Sequence, residues 1–370
     1  WRIAQDKKIR ELLKQHNIIS KEFNGCLLWE PSNIKKADGE HYKVFTPFYK
    51  KGCLESVPPR KPVHKPENLL LLKLNLKGRA YNFKFKDNKY NWCLKFEKIW
   101  NTSEASARKT FDRFLHNGAS DYSEGRNFPS KNSVSKISAY LHWGQISPFR
   151  VWDEAKNKMN GLHKETFLSE IGWREFSYHL LYHFPNINKQ NLKKQFDKLE
   201  WNINEKLLSK WKKGKTGFPI VDAGMRELWQ TGYMHNRLRM IVGSFLVKNL
   251  LLHWHHGERW FWDCLVDADL ASNSAGWQWI AGTGADAAPY FRIFNPITQG
   301  QKFDSDGEYT KKYIPELKNM PNKYLFNPWE APKEVLDIAN VKLGENYPLP
   351  IVEIGPSRQK ALAAFAKTKN

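Results

Sequence analysis

Apolar residues recur at helical spacing along the second and larger part of the chain. Ser103 precedes a stretch in which Phe111 and Phe114 fall on one face, and Gly118 follows that stretch. A serine before a helix and a glycine just past its end are typical boundary residues. Similar apolar stripes, separated by short polar loops, occupy residues 167–184, 220–231, 236–253 and 260–265. Because strand signals are weak, residues 103–370 are predicted to form one large all-α domain.

The first hundred residues follow a different pattern. Residues 4–15 predict a helix, and residues 42–48 form a short apolar, strand-like piece. Residues 51–102 contain four prolines and then a stretch rich in Lys, Asn and aromatic residues without helical period, which predicts a connector. Near the other end, Ile354–Lys367 is a short amphipathic stretch.

The charge and aromatic content change this picture from a plain helical domain to a candidate nucleic-acid binder. Lys and Arg number 59 against 38 Asp and Glu, which gives a net charge of +21. Such an excess indicates a polyanionic partner, because it would otherwise repel itself. The 16 Trp include enough flat rings for base stacking, although most of them are expected in the core.

Several classes of protein are excluded by the same inspection. The longest apolar stretch, 240–252, is interrupted by Ser244, Lys248 and Asn249, and it is shorter than the roughly 20 residues of a membrane span. The four Cys lie far apart, which predicts free thiols in a reducing, cytoplasmic compartment. No ligand spacing supports a metal site. The chain opens at Trp1 inside a predicted helix, so we expect an N-terminally truncated protein.

Three segments carry candidate chemistry. Residues 122–138 combine an arginine, hydroxyls and Lys136 at a helix start, which suits a phosphate, although an ordinary capped helix start has the same composition. In the helix at 167–183, Glu170, Trp173 and Arg174 share one face, where they could bind a base. The alternative there is a surface ion pair between Glu170 and Arg174.

The third candidate segment begins at MHNRLRM, residues 234–240, and continues at 267–279. Arg237 and Arg239 are candidates for phosphate contacts, and Asn236 and Met240 share a face. Asp267 and Asp269 flank Ala268 and could serve as acid–base groups or as metal ligands. Neither of these two interpretations has further ligands at a supporting spacing.

Four segments together resemble the photolyase/cryptochrome family in order and spacing. They are YKVFTPF at 42–48, GKTGFPIVDAGMRELWQTGYMHNRLRM at 214–240, DADLASNSAGWQW at 267–279 and APYFRIFNPITQG at 288–300. Glu170, Trp173, Asn236 and Met240 are most similar to class I cyclobutane pyrimidine dimer (CPD) photolyases, since (6-4) photolyases carry a His pair in the same helix. Animal cryptochromes tend to place Cys, and plant ones Asp, where Asn273 stands.

The resemblance implies a mainly α fold with three parts. Residues 1–50 would be the remnant of an α/β, Rossmann-like antenna domain, 51–102 the connector, and 103–370 the helical catalytic domain that binds FAD. FAD would be reduced and anionic in the active state, and the full-length protein would hold a second antenna chromophore, a folate or a deazaflavin. The residues that match FAD-binding positions are Tyr122, Val134, Ser135, Lys136, Ile137, Ser138, Phe167, Arg174, Asp267, Ala268, Asp269 and Asn273.

The implied activity is light-driven repair of CPDs in UV-damaged DNA, through electron transfer from excited reduced FAD to a flipped-out dimer. The resemblance also implies a monomer. Catalytic roles fall on Glu170, on Asn273 facing the flavin, and on Trp201, Trp254 and Trp277 as an electron relay. The residues that match DNA- and dimer-binding positions are Arg126, Glu170, Trp173, Arg174, Asn236, Arg237, Arg239, Met240, Trp279, Arg292 and Gln299.

Three departures from the family pattern concern FAD affinity. Val134 stands where Thr is common, Lys136 where Arg is, and Phe167 where Trp is. Two other functions stay open from the sequence: a flavin photoreceptor of the cryptochrome kind without repair activity, and a basic single-strand-binding module without a cofactor.

Overall fold

The fold is described from a computed structural model that covers residues 2–63, 66–68 and 91–368. These residues are mainly helical, which confirms the predicted fold class. The α-helices are α1 Arg2–Gln15, α2 Phe45–Pro47, α3 Glu104–Asn117, α4 Tyr122–Gly125, α5 Ser138–His142, α6 Pro148–Lys158, α7 Gly161–His183, α8 Glu205–Lys212, α9 Pro219–Thr231, α10 Asn236–Ser244, α11 Trp254–Cys264, α12 Leu270–Ala281, α13 Pro296–Phe303, α14 Glu308–Tyr313, α15 Asn322–Leu325, α16 Lys333–Ile338 and α17 Ile354–Lys367.

Shorter helical segments connect these helices. The 3₁₀ segments are Asn91–Lys98, Ala119–Asp121, Lys194–Lys198, Pro315–Leu317 and Pro328–Glu330, and the π-helical segments are Phe48–Cys53 and Phe245–Asn249. Among the helices so described, not one combines the length and apolar composition that a bilayer crossing requires. The predicted connector lies partly outside the described residues, at 64–65 and 69–90.

Local boundary residues explain where the helices begin and end. The Ser103 hydroxyl accepts a hydrogen bond from the Ser106 N–H at 3.2 Å, and Gly118 follows the last turn of α3, as predicted. Helix α9 starts at Pro219 and ends at Gly232, whose φ of 68° is a left-handed conformation that glycine adopts without strain. Helix α17 has the predicted bounds.

The prediction of a strand-like piece at 42–48 is wrong, because the chain turns helical at Phe45 and stays so to Cys53. Phe45 and Phe48 are buried against α7, and the Phe45 N–H donates to the Asp286 carboxylate at 2.8 Å. A helical turn lets these two rings reach one neighbouring surface, whereas a strand would place successive rings on alternate faces.

Two predicted stripes have different bounds in the structure. The stripe at 236–253 leaves the α-helical path at Phe245 for a π-helical turn, and Leu251 has a φ of 52°. The stripe at 260–265 is the second half of α11, which begins at Trp254 because the His253 ring nitrogen accepts from the His255 N–H.

Two large hydrophobic clusters form the core. The N-terminal core has its buried members between residues 28 and 187, including Phe45, Phe111 and Phe176. The C-terminal core has its buried members between residues 208 and 347, including Trp254. Helix α12 packs against α7 of the first core and against α10 and α11 of the second. The space between α7, α10 and α12 is therefore where a site can open.

Candidate functional site

Two adjoining cavities open between α7, α10 and α12. The main cavity has a volume of about 410 Å³, and the loop cavity, beside the segment 134–138, has about 270 Å³. The main cavity is within the size range of small-molecule sites, and the loop cavity is slightly smaller than that range. The residues that line both are Arg126, Glu170, Asn236, Arg239, Asp267, Asp269 and Ser272. The two cavities therefore meet along one polar seam.

Most residues predicted from the sequence line these cavities. In the loop cavity, beside the seam, are Tyr122, Val134, Ser135, Lys136, Ile137, Ser138, Phe167 and Arg174. In the main cavity, beside the seam, are Trp173, Met240, Ala268, Asn273, Trp277 and Trp279. Predicted residues that line neither cavity are Trp201, Trp254, Arg237, Arg292 and Gln299.

The loop cavity has the backbone geometry of an anion site. Lys136 has a φ of 53°, in the left-handed region, and Ile137 follows in the right-handed region. This alternation turns successive N–H groups toward one concave side. Across the described ranges, the N–H groups of residues 134–137 donate to no protein acceptor. With the Lys136 ammonium beside them, these donors suit a phosphate or pyrophosphate.

A carboxylate pair fixes the seam. Asp267 is buried and accepts from Arg239 Nη2, at 3.1 and 2.9 Å, and from Ser138 Oγ at 2.6 Å. Asp269 accepts from Tyr178 Oη at 2.5 Å and lies 3.3 Å from His142 Nδ1. Burial acts to raise the pKa of Asp269, but these hydrogen bonds outweigh it and lower the pKa to about 2. The seam thus holds a permanent negative charge, partly matched by Arg239.

The Asn273 side chain has a defined orientation. Its Nδ2 donates to the Glu258 backbone oxygen at 3.0 Å, and a backbone carbonyl can only accept. The amide oxygen is consequently the atom left for the main cavity, which Asn273 lines. A ligand N–H could donate to this oxygen, and no titration of the side chain is needed.

Glu170 makes its ion pair across the cavity mouth. Arg126 Nη1 donates to Glu170 Oε1 at 2.5 Å. The alternative of a Glu170–Arg174 surface pair is not observed, because Arg174 donates to the Cys26 backbone oxygen at 2.8 Å and to Glu175 at 3.1 Å. Among the described residues, Glu170 Oε2 accepts no hydrogen bond, and Glu170 and Trp173 both line the main cavity.

The predicted phosphate-binding arginines differ in their availability. Arg239 is paired with Asp267, and Arg237 donates to Asn127 with its guanidinium 4.1 Å over the Phe303 ring. Burial, followed by the charges of Arg126 and Arg292, lowers the pKa of Arg237. Arg292 is exposed on the loop before α13. Of these three arginines, Arg239 lines both cavities, and only Arg292 is exposed to solvent.

His235 is a positioning residue beside the site that was not singled out from the sequence. Its Nδ1 accepts from the Arg237 N–H at 3.2 Å and so caps α10, which carries Asn236. Burial first, and then the charges of Lys136, Arg237, Arg239 and Arg126, lower its pKa to about 3. A histidine directly before the first turn of a helix is the signal that could have identified it.

The three tryptophans of the predicted relay run outward from the main cavity. Trp277 lines the cavity and packs on Gly257, one helical turn from the buried Trp254 in α11. Trp254 Nε1 donates to Asn191 at 2.9 Å and its ring stacks on His253 at 5.7 Å. Trp201 is half-buried and lies edge-on to His253 at 4.9 Å. Trp254 and Trp277 are both buried, at 0% and 4% exposure, so Trp201 is the one member of the predicted relay that is partly exposed.

Comparison with known proteins gives two matching family models. Residues 167–367 match the FAD binding domain of DNA photolyase, and residues 1–67 match the DNA photolyase model. A deoxyribodipyrimidine photo-lyase of Agrobacterium fabrum is 46% identical over 372 residues, which cover 99% of this chain and 77% of that protein. Cryptochrome-2 of Arabidopsis thaliana is 35% identical, over 99% of this chain and 62% of that protein.

A solved structure agrees with these matches. The crystal structure of a bacterial class III photolyase from Agrobacterium tumefaciens superimposes with a TM-score of 0.93 at 46% identity, and covers 99% of this chain and 77% of that one. That solved relative is described as a class III photolyase, and class I, the subclass expected from the motifs, stays a prediction for this chain. With a family model over more than half of its length and relatives matched along nearly all of it, this chain belongs to the photolyase/cryptochrome family.

Proposed function

We propose that the protein is a DNA photolyase, a carbon–carbon lyase that repairs cyclobutane pyrimidine dimers with light. The observation that carries the proposal is the seam: one set of side chains joins an anion-binding loop cavity to a main cavity with an aromatic, hydrogen-bonding wall. The relatives named photo-lyase are also more identical to this chain than the cryptochrome is. The reaction splits two carbon–carbon bonds and has no net change in oxidation state.

The residues present fit FAD. The N–H groups of residues 134–137 and Lys136 would hold its phosphates, and the main cavity would hold its ring systems. Val134 contributes no hydroxyl to this site, but the backbone donors do not depend on it. Asn273 would accept from the flavin N5–H through its amide oxygen. When bound, FAD supplies the light-excited electron donor.

The wall formed by Glu170, Trp173, Asn236, Met240 and Trp279 would receive the dimer. Glu170 would hydrogen-bond a pyrimidine carbonyl or N–H with the oxygen that Arg126 leaves available, and Asn236 would add a second polar contact. Trp173 and Trp279 offer ring faces for a flat substrate that has left the base stack.

The cations at the mouth would bind the DNA backbone. Arg292 is the exposed candidate for a phosphate contact, whereas Arg237 would act mainly by holding the loop at Asn127 against α13. The net charge of +21 supports attraction of the duplex as a whole. Gln299, half-buried in α13, stays a candidate contact at the same rim.

Trp277, Trp254 and Trp201 would restore the active redox state of the cofactor by passing an electron inward. The position of Trp277 in the cavity lining, the burial of Trp254 and the partial exposure of Trp201 support this assignment. A second antenna chromophore, a monomeric state and a cytoplasmic location stay predictions.

A repair assay with Glu170→Ala tests the proposal. The parent, loaded with reduced FAD, should remove CPDs from a duplex in light and not in darkness. Loss of the Glu170 hydrogen bond should lower the repair yield at saturating substrate by roughly tenfold, with unchanged FAD content. Glu165→Ala, on an exposed position of the same helix, is the matched control.

Two outcomes would contradict the proposal in different ways. Parent protein that binds FAD and is reduced in light, but leaves dimers intact, would be a photoreceptor of the cryptochrome kind. Parent protein that binds single strands without any flavin would be a binding module instead.

A further inference from the structure

Trp173 has one face toward the main cavity and the other against the N-terminal part of the chain. Its ring is parallel to the Phe45 ring, with centroids 3.8 Å apart and an angle of 11° between the planes. Phe45 itself is buried and lines neither cavity. A ring of the N-terminal segment therefore supports the back of a cavity wall residue that lies 128 positions further along the chain.

Behind Phe45, the stack continues and is closely packed. The Tyr49 ring lies parallel to Phe45 at 5.6 Å and 8°. Gly172 makes room for it, since a Cβ on Gly172 would come within 2.5 Å of the Tyr49 ring. Phe176 stands edge-on to Phe45 at 5.9 Å and to Trp173 at 5.8 Å. Trp173 consequently has no free volume behind it into which its ring could retreat.

Phe45 also contacts a second wall of the main cavity, through its backbone N–H. The Phe45 N–H donates to Asp286 Oδ2 at 2.8 Å, and Asp286, like Ala285 next to it, lines the main cavity. Phe45 thus touches two walls at once, the α7 wall through its ring and the loop at 285–286 through its N–H.

From these contacts we infer that Phe45 is a positioning residue for the substrate, a role that rests on the proposed function. By fixing the plane of Trp173 and its spacing from the loop at 285–286, Phe45 shapes a slot for the paired rings of a pyrimidine dimer before the dimer arrives. A slot formed in advance loses less side-chain freedom on binding, so its affinity for the dimer is higher. Undamaged DNA, whose bases stay stacked, does not use the slot.

Phe45→Leu tests this role, because leucine keeps apolar volume and removes the ring stack. Affinity for a CPD-containing duplex should fall about three- to tenfold, the effect of one aromatic pair. Affinity for the undamaged duplex and FAD content should stay at the parent level. Phe45→Tyr, which retains a flat ring, should restore most of the dimer affinity.

Phe48→Leu is the matched control. Phe48 is also buried in the same segment, at 1% exposure against 8% for Phe45, and it packs on Phe176 and His179 without a ring contact to Trp173. Both leucine variants should lose similar thermal stability, and only Phe45→Leu should lose discrimination for the dimer. Equal losses in the two variants, or equal loss on damaged and undamaged DNA, would overturn the inference.

A spectroscopic measurement covers the case in which Phe45→Leu folds poorly. In protein labelled with fluorotryptophan, the Trp173 resonance can be assigned by its disappearance in Trp173→Phe. Asp286→Ala, which removes the second contact of Phe45 without altering the core, should shift or broaden that ¹⁹F resonance. An unmoved resonance would contradict the inference. Failure of the parent to repair dimers in light would contradict the proposed function, and it is a separate observation.

Discussion

The two hydrophobic cores enclose their buried charges in different ways. In the C-terminal core, Asp222 accepts from the Thr216 N–H at 2.7 Å, the Thr216 hydroxyl at 2.6 Å and the Tyr347 hydroxyl at 2.9 Å. In the N-terminal core, Glu175 accepts from the N–H groups of Leu28, at 2.8 Å, and of Trp29, at 3.2 Å.

The two carboxyl groups differ in how far along the chain their backbone partners lie, and Glu175 has a pKa near neutral pH. Asp222 and Thr216 are six residues apart, so the loop before α9 closes largely on itself. Glu175 bonds a segment almost 150 residues away, and burial raises its pKa to about 7. Nearby, His41, His179 and His183 lie ring to ring at 4.7 and 4.4 Å. Glu175 is therefore a buried group of the N-terminal core whose pKa lies near neutral pH, and it is bonded to the segment at 28–29.

The largest effect on stability is expected from Asp222→Ala. It leaves several buried donors without an acceptor, and each such donor costs about 1–3 kcal/mol. We expect the free energy of unfolding to fall by about 4 kcal/mol in urea denaturation, against about 1 kcal/mol for the control Tyr347→Phe. If Asp222→Ala loses less unfolding free energy than the control, the C-terminal core tolerates buried donors that have no hydrogen-bond acceptor.

Glu175→Gln should change stability in a pH-dependent way. A carboxyl whose folded pKa is raised stabilises the fold below its unfolded pKa of about 4.5, and that stability is lost as pH rises toward 7. Relative to the parent, Glu175→Gln should therefore gain about 2–3 kcal/mol between pH 5 and pH 8. Urea denaturation at the two pH values measures this. A constant difference would show that Glu175 is ionised throughout.

His179→Phe should act in the opposite pH direction. Burial, then the charges of His183 and His41, lower the pKa of His179 to about 4. The parent loses stability as pH falls below about 6.5, where the unfolded histidine takes up a proton and the folded one does not. From pH 7 to 4.5 the phenylalanine variant should avoid a loss of about 2 kcal/mol. The exposed His116→Phe is the control and should follow the parent.

The smallest effect on stability is expected from Trp254→Phe in the C-terminal core. It loses the hydrogen bond to Asn191, which is worth about 1 kcal/mol, and retains most of the apolar area. Dimer repair by pre-reduced enzyme should be nearly unchanged, but light-driven reduction of the bound flavin with a thiol donor should be abolished or greatly slowed. In the control Trp152→Phe, in the N-terminal core, light-driven reduction of the bound flavin should proceed at the parent rate. If the flavin is reduced at the parent rate in both variants, Trp254 is not part of an electron relay and serves only in core packing.

Periodicity predicted those helices whose apolar pattern is complete within their own segment. Helices α3 and α17 begin and end where the capping and apolar patterns place them. Residues 42–48 were mispredicted because their helical turn depends on Asp286 and on α7, which are distant in sequence. Local propensity contains no information about such contacts.

The candidate site shows the same limit. The cofactor-binding residues that line both cavities came from the family resemblance and not from spacing, since a serine-rich turn and a paired Asp motif are each unspecific alone. The Arg126–Glu170 pair joins residues 44 apart, and sequence spacing instead suggested Arg174 as the partner. The crossing of α7 and the loop after α4 decides which of the nearby cations pairs with Glu170.

The packing of Trp277 on Gly257 has a consequence for how this protein can evolve. Any side chain at position 257 would overlap the indole. A mutation at 257 is therefore tolerated only after residue 277 has become smaller, and a smaller residue at 277 removes the aromatic ring next to the main cavity. Residue 277 must therefore change before residue 257, and that first change removes the aromatic ring. Lineages that depend on light-driven reduction should keep both residues constant.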